Sequence, residues 1–310
     1  MRYLVTGAAG FLGSHLCEEL LSRGHEVIGL DSCVIGSRKN IDFLFNCPRF
    51  TFIEADLLEW NDTPKVDGIF HLASPTAPAE TYKHPEMTLQ VNTDGTAHLI
   101  EMARFWGAGF LFASSVKVTD KITFSSTYIA GKREGERLCS EYAHAKVARM
   151  GNIYGPRMAP DDSRVIPTFC RAVRDGEPLR VWGDGQQVDS FCYVSDVIRG
   201  LIDFMTSPIS GVVEFGDPNG ITIEELAHTV LESLEVKRDI CYEQPGGGVC
   251  IVPVDGTMSN NRTTAALHAK ARKVPDTSRA VRELRWMPQM DLTNGLRRTY
   301  DYYKTIGGQK

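Results

Sequence analysis

The chain has 310 residues, 42% hydrophobic and 24% charged, and a formal net charge of −5. That length can bury a substantial core and leaves room for two domains. The absence of a long basic run weighs against a nucleic-acid binder, and no stretch approaches the ~18 consecutive apolar residues of a membrane-spanning helix.

Eight cysteines, at 17, 33, 47, 139, 170, 192, 241 and 250, form no CxxC pair. This spacing argues against a zinc site or a redox dithiol and for reduced thiols used as small core residues. The first residues run straight into a strand with no charged leader, so a cytoplasmic protein is expected.

Up to residue 150, apolar runs of strand length at 3–5, 26–30, 50–54, 68–72, 109–113 and 145–150 alternate with helix-like segments at 11–23, 86–107 and 128–144. Strict alternation means βαβ units and a parallel sheet covered on both faces. Beyond residue 151 prolines break the rhythm, with helices expected at 165–175, 195–206, 222–234, 277–284 and 291–304. Thr222-Ile223-Glu224-Glu225 reads as a capped helix start. Residues 246–270 lack periodicity and read as a long loop. The expectation is an α/β chain with a doubly wound parallel sheet at 1–150, and a smaller C-terminal α/β domain at 151–310 that binds the substrate. The chain may cross back to the sheet.

The first strand leads into Gly7-Ala8-Ala9-Gly10-Phe11-Leu12-Gly13. Glycines here allow a tight turn, close approach of a pyrophosphate, and close packing of helix on strand, and the helix N-terminus offers free N–H groups to the phosphates. Asp31 closes the second strand, where a carboxylate accepts bonds from adenosine ribose hydroxyls and repels a 2′-phosphate. Rossmann-type binding of NAD rather than NADP follows. Arg38 and Lys39 are the counter-indication, unless they are a solvated loop pair. Asp56 either reads the adenine edge or caps its own loop.

Tyr128 and Lys132 stand at i and i+4, on one face of a helix. A nearby ammonium favours the phenolate, which can act as general base on a sugar hydroxyl. Ser114 and Ser115 end the strand at 109–113, on the edge where open α/β sheets bind ligands, and either steer the reacting oxygen or merely form a turn. His71, His84 and His98 have no metal-site spacing, and no metal is expected.

These motifs, with His71-Leu72-Ala73-Ser74-Pro75, Asn92-Thr93-Asp94-Gly95-Thr96, Asn152-Ile153-Tyr154-Gly155-Pro156-Arg157-Met158, Gly183-Asp184-Gly185 and Phe191-Cys192-Tyr193-Val194-Ser195-Asp196, resemble the extended short-chain dehydrogenases/reductases of the nucleotide-sugar epimerase, dehydratase and decarboxylase group. Within it, the chain is most similar to UDP-glucuronate decarboxylases. The resemblance implies bound NAD, oxidation of the sugar C4 to a ketone with Tyr128 as base and Ser115 as helper, and return of the hydride. It implies cofactor contacts from Phe11, Leu12, Leu57, Leu72, Ala73 and Ser74. For a nucleotide sugar, UDP-linked by preference, it implies contacts from Ser74, Ser115, Lys117, Asn152, Arg164, Trp182, Asp189 and Arg272. Trp182 is either near the base or plain core. The helices at 86–107 and 128–144 imply a homodimer.

Three departures stand out. Only twelve residues separate Ser115 from Tyr128, fewer than in relatives, and Val118-Thr119-Asp120 replaces a Val-Tyr-Gly turn. Lys117 replaces a decarboxylase glutamate, and Asp189 replaces an arginine. Lys117 and Asp189 are either an inverted charge pair across the sugar pocket or two independent surface changes. The expected function is a nucleotide-sugar epimerase or decarboxylase; the alternatives are a net sugar dehydrogenase and a silent ligand-binding Rossmann protein.

Overall fold

The computed structural model describes residues 1–61, 64–119, 126–243, 249–252 and 274–307. Two compact units make up the chain: Met1–Gly151 with Val194–Phe215 and Asp276–Met287, and Asn152–Tyr193 with Gly216–Pro275 and Pro288–Lys310.

In the first unit, β1 (Arg2–Thr6), α1 (Phe11–Ser22), β2 (Glu26–Asp31), β3 (Phe50–Glu54) and β4 (Gly68–His71) are followed by α2 (Pro78–Lys83), α3 (Pro85–Asn92) and α4 (Asp94–Trp106). Then come β5 (Gly109–Ser115), α5 (Thr127–Ser140) and β6 (Ala145–Met150). The second unit takes β7 (Asn152–Tyr154), α6 (Val165–Asp175), β8 (Leu179–Trp182), β9 (Val188–Asp189) and β10 (Phe191–Tyr193). The chain returns to the first unit with α7 (Val194–Thr206) and β11 (Gly211–Phe215). β12 (Ile221–Thr222), α8 (Ile223–Ser233), β13 (Ile240–Glu243), β14 (Val249–Val252) and α9 (Leu292–Gly307) complete the second unit.

The seven-stranded sheet has the order β11-β6-β5-β4-β1-β2-β3, and every pair is parallel. The order reverses beside β1, between β1 and β4, which is the crevice where a doubly wound sheet takes its ligand. Leu4, Ile69, Phe110, Phe112 and Val147 bury one face under Leu99, Ile100 and Ala103 of α4. Such strands are apolar on both faces because helices cover both.

The second unit carries three small sheets: β10-β7, β12-β9 and β14-β13-β8. The capping box at Thr222 forms, with Glu225 N–H donating to the Thr222 hydroxyl at 3.1 Å and Thr222 N–H donating to the Glu225 carboxylate at 2.9 Å.

Several elements differ from the sequence expectation. The helix expected at 86–107 is two helices, broken at Thr93 with ψ −78. The Asn92 amide donates to the Thr88 carbonyl at 2.7 Å and the Thr93 hydroxyl to the Leu89 carbonyl at 3.0 Å, and such side chains compete with the helix for its own carbonyls. The helix at 128–144 stops at Ser140 because Tyr142 turns inward, donating to the Ala108 carbonyl at 2.7 Å. Within 246–270, Val249–Val252 is a strand antiparallel to β13, consistent with its β-branched residues; 246–248 and 253–270 lie outside the described residues. The segment at 277–284 contains one π-helical turn, Ala280–Leu284.

Among the described residues, no helix is long and apolar enough to cross a membrane.

Candidate active site

The glycine loop joins β1 to α1. Gly7 has φ +73, and a Cβ there would lie 2.8 Å from the Ala73 nitrogen. A Cβ on Gly13 would lie 2.0 Å from the Gly7 carbonyl oxygen, so only glycine lets α1 close onto the loop. Gly10 caps α1 with no side-chain acceptor, leaving the N–H groups of that first turn, from Phe11 and Leu12 onward, open to an anion. This bare, Cβ-free cradle fits a dinucleotide pyrophosphate.

The Asp31 carboxylate organises the loop from the neighbouring strand. One oxygen accepts from Ala9 N–H and the other from Cys33 N–H, both at 2.9 Å. Burial pushes this carboxyl up from the ordinary range, against the lowering effect of those two N–H groups. The segment after β2 folds back over the same loop, with Ser37 N–H and the Asn40 amide both donating to the Ala9 carbonyl at 3.0 Å. Arg38 pairs with Glu54 at 3.0 Å and lies against Phe45 and Phe52. Its charge is thus matched by a carboxylate.

Asp56 accepts from Leu58 N–H at 2.9 Å, the loop-capping arrangement, and Leu57 is buried in the core. Ala73 is held by a directional chain. The Val91 carbonyl can only accept, so His71 Nε2 carries the proton toward it at 3.3 Å. Nδ1 then accepts from the Thr6 hydroxyl at 2.8 Å, and Thr6 Oγ1 accepts from Ala73 N–H at 3.3 Å. Burial drives the His71 pKa down to about 3, and the charge of Lys132 adds to this, so the imidazole is neutral. Leu72 N–H donates to the Thr6 carbonyl at 3.2 Å. Ser74 accepts from the Asn92 amide at 2.9 Å and donates to the Pro75 carbonyl at 3.1 Å.

Tyr128 and Lys132 lie on α5, whose axis runs over β5 and α3. The Lys132 ammonium is fully buried and donates to the Ala113 carbonyl of β5 at 2.6 Å. It sits 5.7 Å from the Tyr128 ring centre and 4.8 Å from that of Phe112. Burial lowers its pKa to about 7, opposed by Glu136. Ser115, two residues beyond Ala113, accepts from Lys117 N–H at 3.3 Å. The phenol is half-buried. Phenol, ammonium and strand-end hydroxyl therefore share one helix–strand pair, α5 and β5.

Asn152, Arg164, Trp182 and Asp189 belong to the second unit, and Lys117 to the first. The Asn152 amide donates to the Ser190 carbonyl at 3.3 Å. Arg164 is matched by Asp162 at 2.6 Å. Trp182 is 68% exposed, so it is not core. Arg272, Asp120 and most of the expected pocket segment at 246–270 lie outside the described residues.

Sequence reasoning missed Thr6, Asn40, Glu136 and Arg149, and gave Ser114 no partner on α5. Ser114 donates to Glu136 Oε1 at 2.5 Å, and Arg149 grips the same carboxylate at 2.9 and 2.6 Å. Glu136 stands at i+8 from Tyr128 and i+4 from Lys132, a helical spacing that could have marked it.

His84 faces Glu80 at 3.7 Å, and His98 Nε2 lies 2.9 Å from the Trp60 carbonyl. Among the described residues no group of three His, Cys, Asp or Glu is placed to hold a metal.

The chain is similar to known proteins along nearly its whole length. UDP-glucuronic acid decarboxylase 1 of Arabidopsis thaliana is 34% identical, over 96% of this chain and 68% of its own. UDP-glucuronic acid decarboxylase 6 of the same plant is 35% identical, over 96% and 87%. Among solved structures, UDP-glucuronic acid 4-epimerase of Bacillus cereus, bound to UDP-glucuronic acid and NAD, superposes with TM-score 0.81 and 25% identity, covering 99% of this chain and 100% of that one. Residues 3–215 match the model of the NAD dependent epimerase/dehydratase family. With a glycine loop between β1 and α1, a Tyr–Lys pair on α5 and relatives along nearly its whole length, this chain belongs to the NAD-dependent epimerase/dehydratase family and is an enzyme whose cofactor is NAD.

Proposed function

We propose that the enzyme converts one nucleotide sugar, UDP-linked by preference, into another through a 4-keto intermediate. The observation that carries this is the Lys132 anchor on Ala113, with Tyr128 one turn earlier on α5 and Ser115 at the end of β5. Bound NAD supplies the acceptor for the C4 hydride and its later return.

Tyr128, as phenolate, takes the proton of the C4 hydroxyl while Ser115 hydrogen-bonds the reacting oxygen. Lys132 offsets the charge of the phenolate. The C4 ketone then acidifies its neighbours. Return of the hydride on the other face would invert C4; cleavage of the C5–carboxylate bond would instead release carbon dioxide and leave an enolate that takes up a proton at C5. Tyr128 returns the proton in either case.

Epimerisation fits these residues better than decarboxylation, because Lys117 and Asp189 stand where a decarboxylase glutamate and an arginine are expected. Each of those two groups contacts the sugar-nucleotide in this reading, with Asn152, Arg164, Trp182 and Arg272. Leu89 on α3 and Phe105 on α4 remain exposed, which supports a homodimer through these helices.

The test is mass spectrometry and chromatography of products from a panel of nucleotide sugars that includes UDP-glucuronate. Unchanged mass with a new isomer, and no net NADH, supports the epimerase. Loss of carbon dioxide selects the decarboxylase, and net NADH release would refute internal hydride return.

A further inference from the structure

Lys132 is a cation held away from water, and its surroundings show what balances it. On α5 it faces Tyr128, Glu136 and Cys139; from β4 it faces His71 and from β5 the Phe112 ring. His71 is neutral, and burial pushes the Cys139 thiol up to about 12, so it is neutral too. On α3, Thr88 and Asn92, which pack against Gly131 of α5, are uncharged. Glu136 is therefore the carboxylate in this set.

We propose that Glu136 is a positioning residue of the active site, whose carboxylate clamps α5 to β5 through Ser114 and supplies the negative charge facing the buried Lys132 ammonium. The proposal rests on the reading that Lys132 assists Tyr128. Two successive residues of β5 bond to α5: Ala113 accepts from Lys132 at 2.6 Å, and Ser114 donates to Glu136 at 2.5 Å. Four helical residues advance ~6 Å, so two bonds one turn apart fix how far α5 slides along the strand. That slide sets the distance from Tyr128 to the strand end bearing Ser115.

Arg149 on β6 holds the Glu136 carboxylate through two bonds, at 2.9 and 2.6 Å. Glu214 on β11 faces Arg149 at 3.8 Å and accepts from Asp276 N–H at 2.9 Å. Lysine, glutamate, arginine and glutamate alternate in sign from the buried Lys132 out to the part-buried Glu136, Arg149 and Glu214. Glu136 is shared between two cations, so its pull on Lys132 depends on Arg149.

The test is a pH titration of the protein labelled with ε-13C lysine, without substrate, using the resonance lost in Lys132→Met. Glu136→Gln keeps the shape of the side chain and removes its charge; the Lys132 midpoint should fall by about one unit or more. Glu136→Asp should restore most of that fall. Ser114→Ala, which keeps the carboxylate, should move the midpoint by less than half as much. Arg149→Gln should raise it, and this variant carries the test if Glu136→Gln does not fold.

An unchanged midpoint in Glu136→Gln, or a fall in Arg149→Gln, overturns the proposal. Because the titration needs no sugar, failure to turn over any nucleotide sugar would count against the proposed function and leave this result standing on its own.

Discussion

The Lys132 ammonium donates to the carbonyl of Ala113 at 2.6 Å, two residues before Ser115 on the same strand. Helix and strand thus share one fixed point, and the Tyr128 phenol and the Ser115 hydroxyl, which the proposed reaction brings to one sugar oxygen, are both measured from it.

Tyr128→Phe should lower kcat by about 100- to 10,000-fold, the usual contribution of a general base. NAD content after purification should stay unchanged, because the ring remains. Turnover equal to wild type, measured by product chromatography, would remove Tyr128 from the chemistry.

Gly13→Ala should abolish the thermal stabilisation that NAD confers on the wild type. An added methyl group at 2.0 Å from the Gly7 carbonyl forces α1 off the loop and opens the cradle. A thermal-shift titration that still rises with NAD as in the wild type would contradict this.

His71 should make the fold acid-sensitive. Its pKa in the folded chain, about 3, lies below the ordinary value of the unfolded chain. The unfolded state therefore takes the proton first, so stability is complete above ~6.5 and declines as pH falls toward 3. At pH 5 the loss is ~2 kcal/mol. Urea midpoints should track this, and His71→Gln, which keeps one acceptor and one donor, should flatten the curve between pH 5 and 7.

Lys146 tests the far end of α7. Its ammonium donates to the carbonyls of Phe204, Met205 and Ser207 at 2.6, 3.0 and 2.5 Å, adding a cationic donor at the end of the helix, where carbonyls lack intrahelical partners. Lys146→Met should destabilise the fold by ~1–3 kcal/mol. Hydrogen exchange should accelerate first in the last turn of α7; uniform exchange along the helix would argue for a different role.

Sequence alone gave the parts of the site that depend on local spacing. Gly7, Gly10 and Gly13 declare a cradle by their spacing after a strand, and at Gly7 and Gly13 a Cβ would collide; Tyr128 and Lys132 share a face because helical geometry demands it. The meeting of Ser114 with Glu136 and Arg149 was out of reach because it depends on how α5, β5 and β6 are aligned, which periodicity does not encode. The break at Thr93 was hidden because Asn92 and Thr93 compete for carbonyls in a way their apolar neighbours mask. β11 went unnoticed because Glu214 interrupts a short strand, and its partner β6 lies some sixty residues earlier.

That last separation affects how the protein is born. When Met150 leaves the ribosome, one side of β6 has no neighbour, and Lys146 has no carbonyls to meet. At ~5–20 residues per second, Phe215 follows ~3–13 s later. Through that interval the nascent sheet exposes an unpaired edge, the surface by which strands recruit foreign chains. A fragment ending at residue 151 would keep that vulnerability permanently, so the cofactor half of this enzyme should aggregate when expressed without the rest.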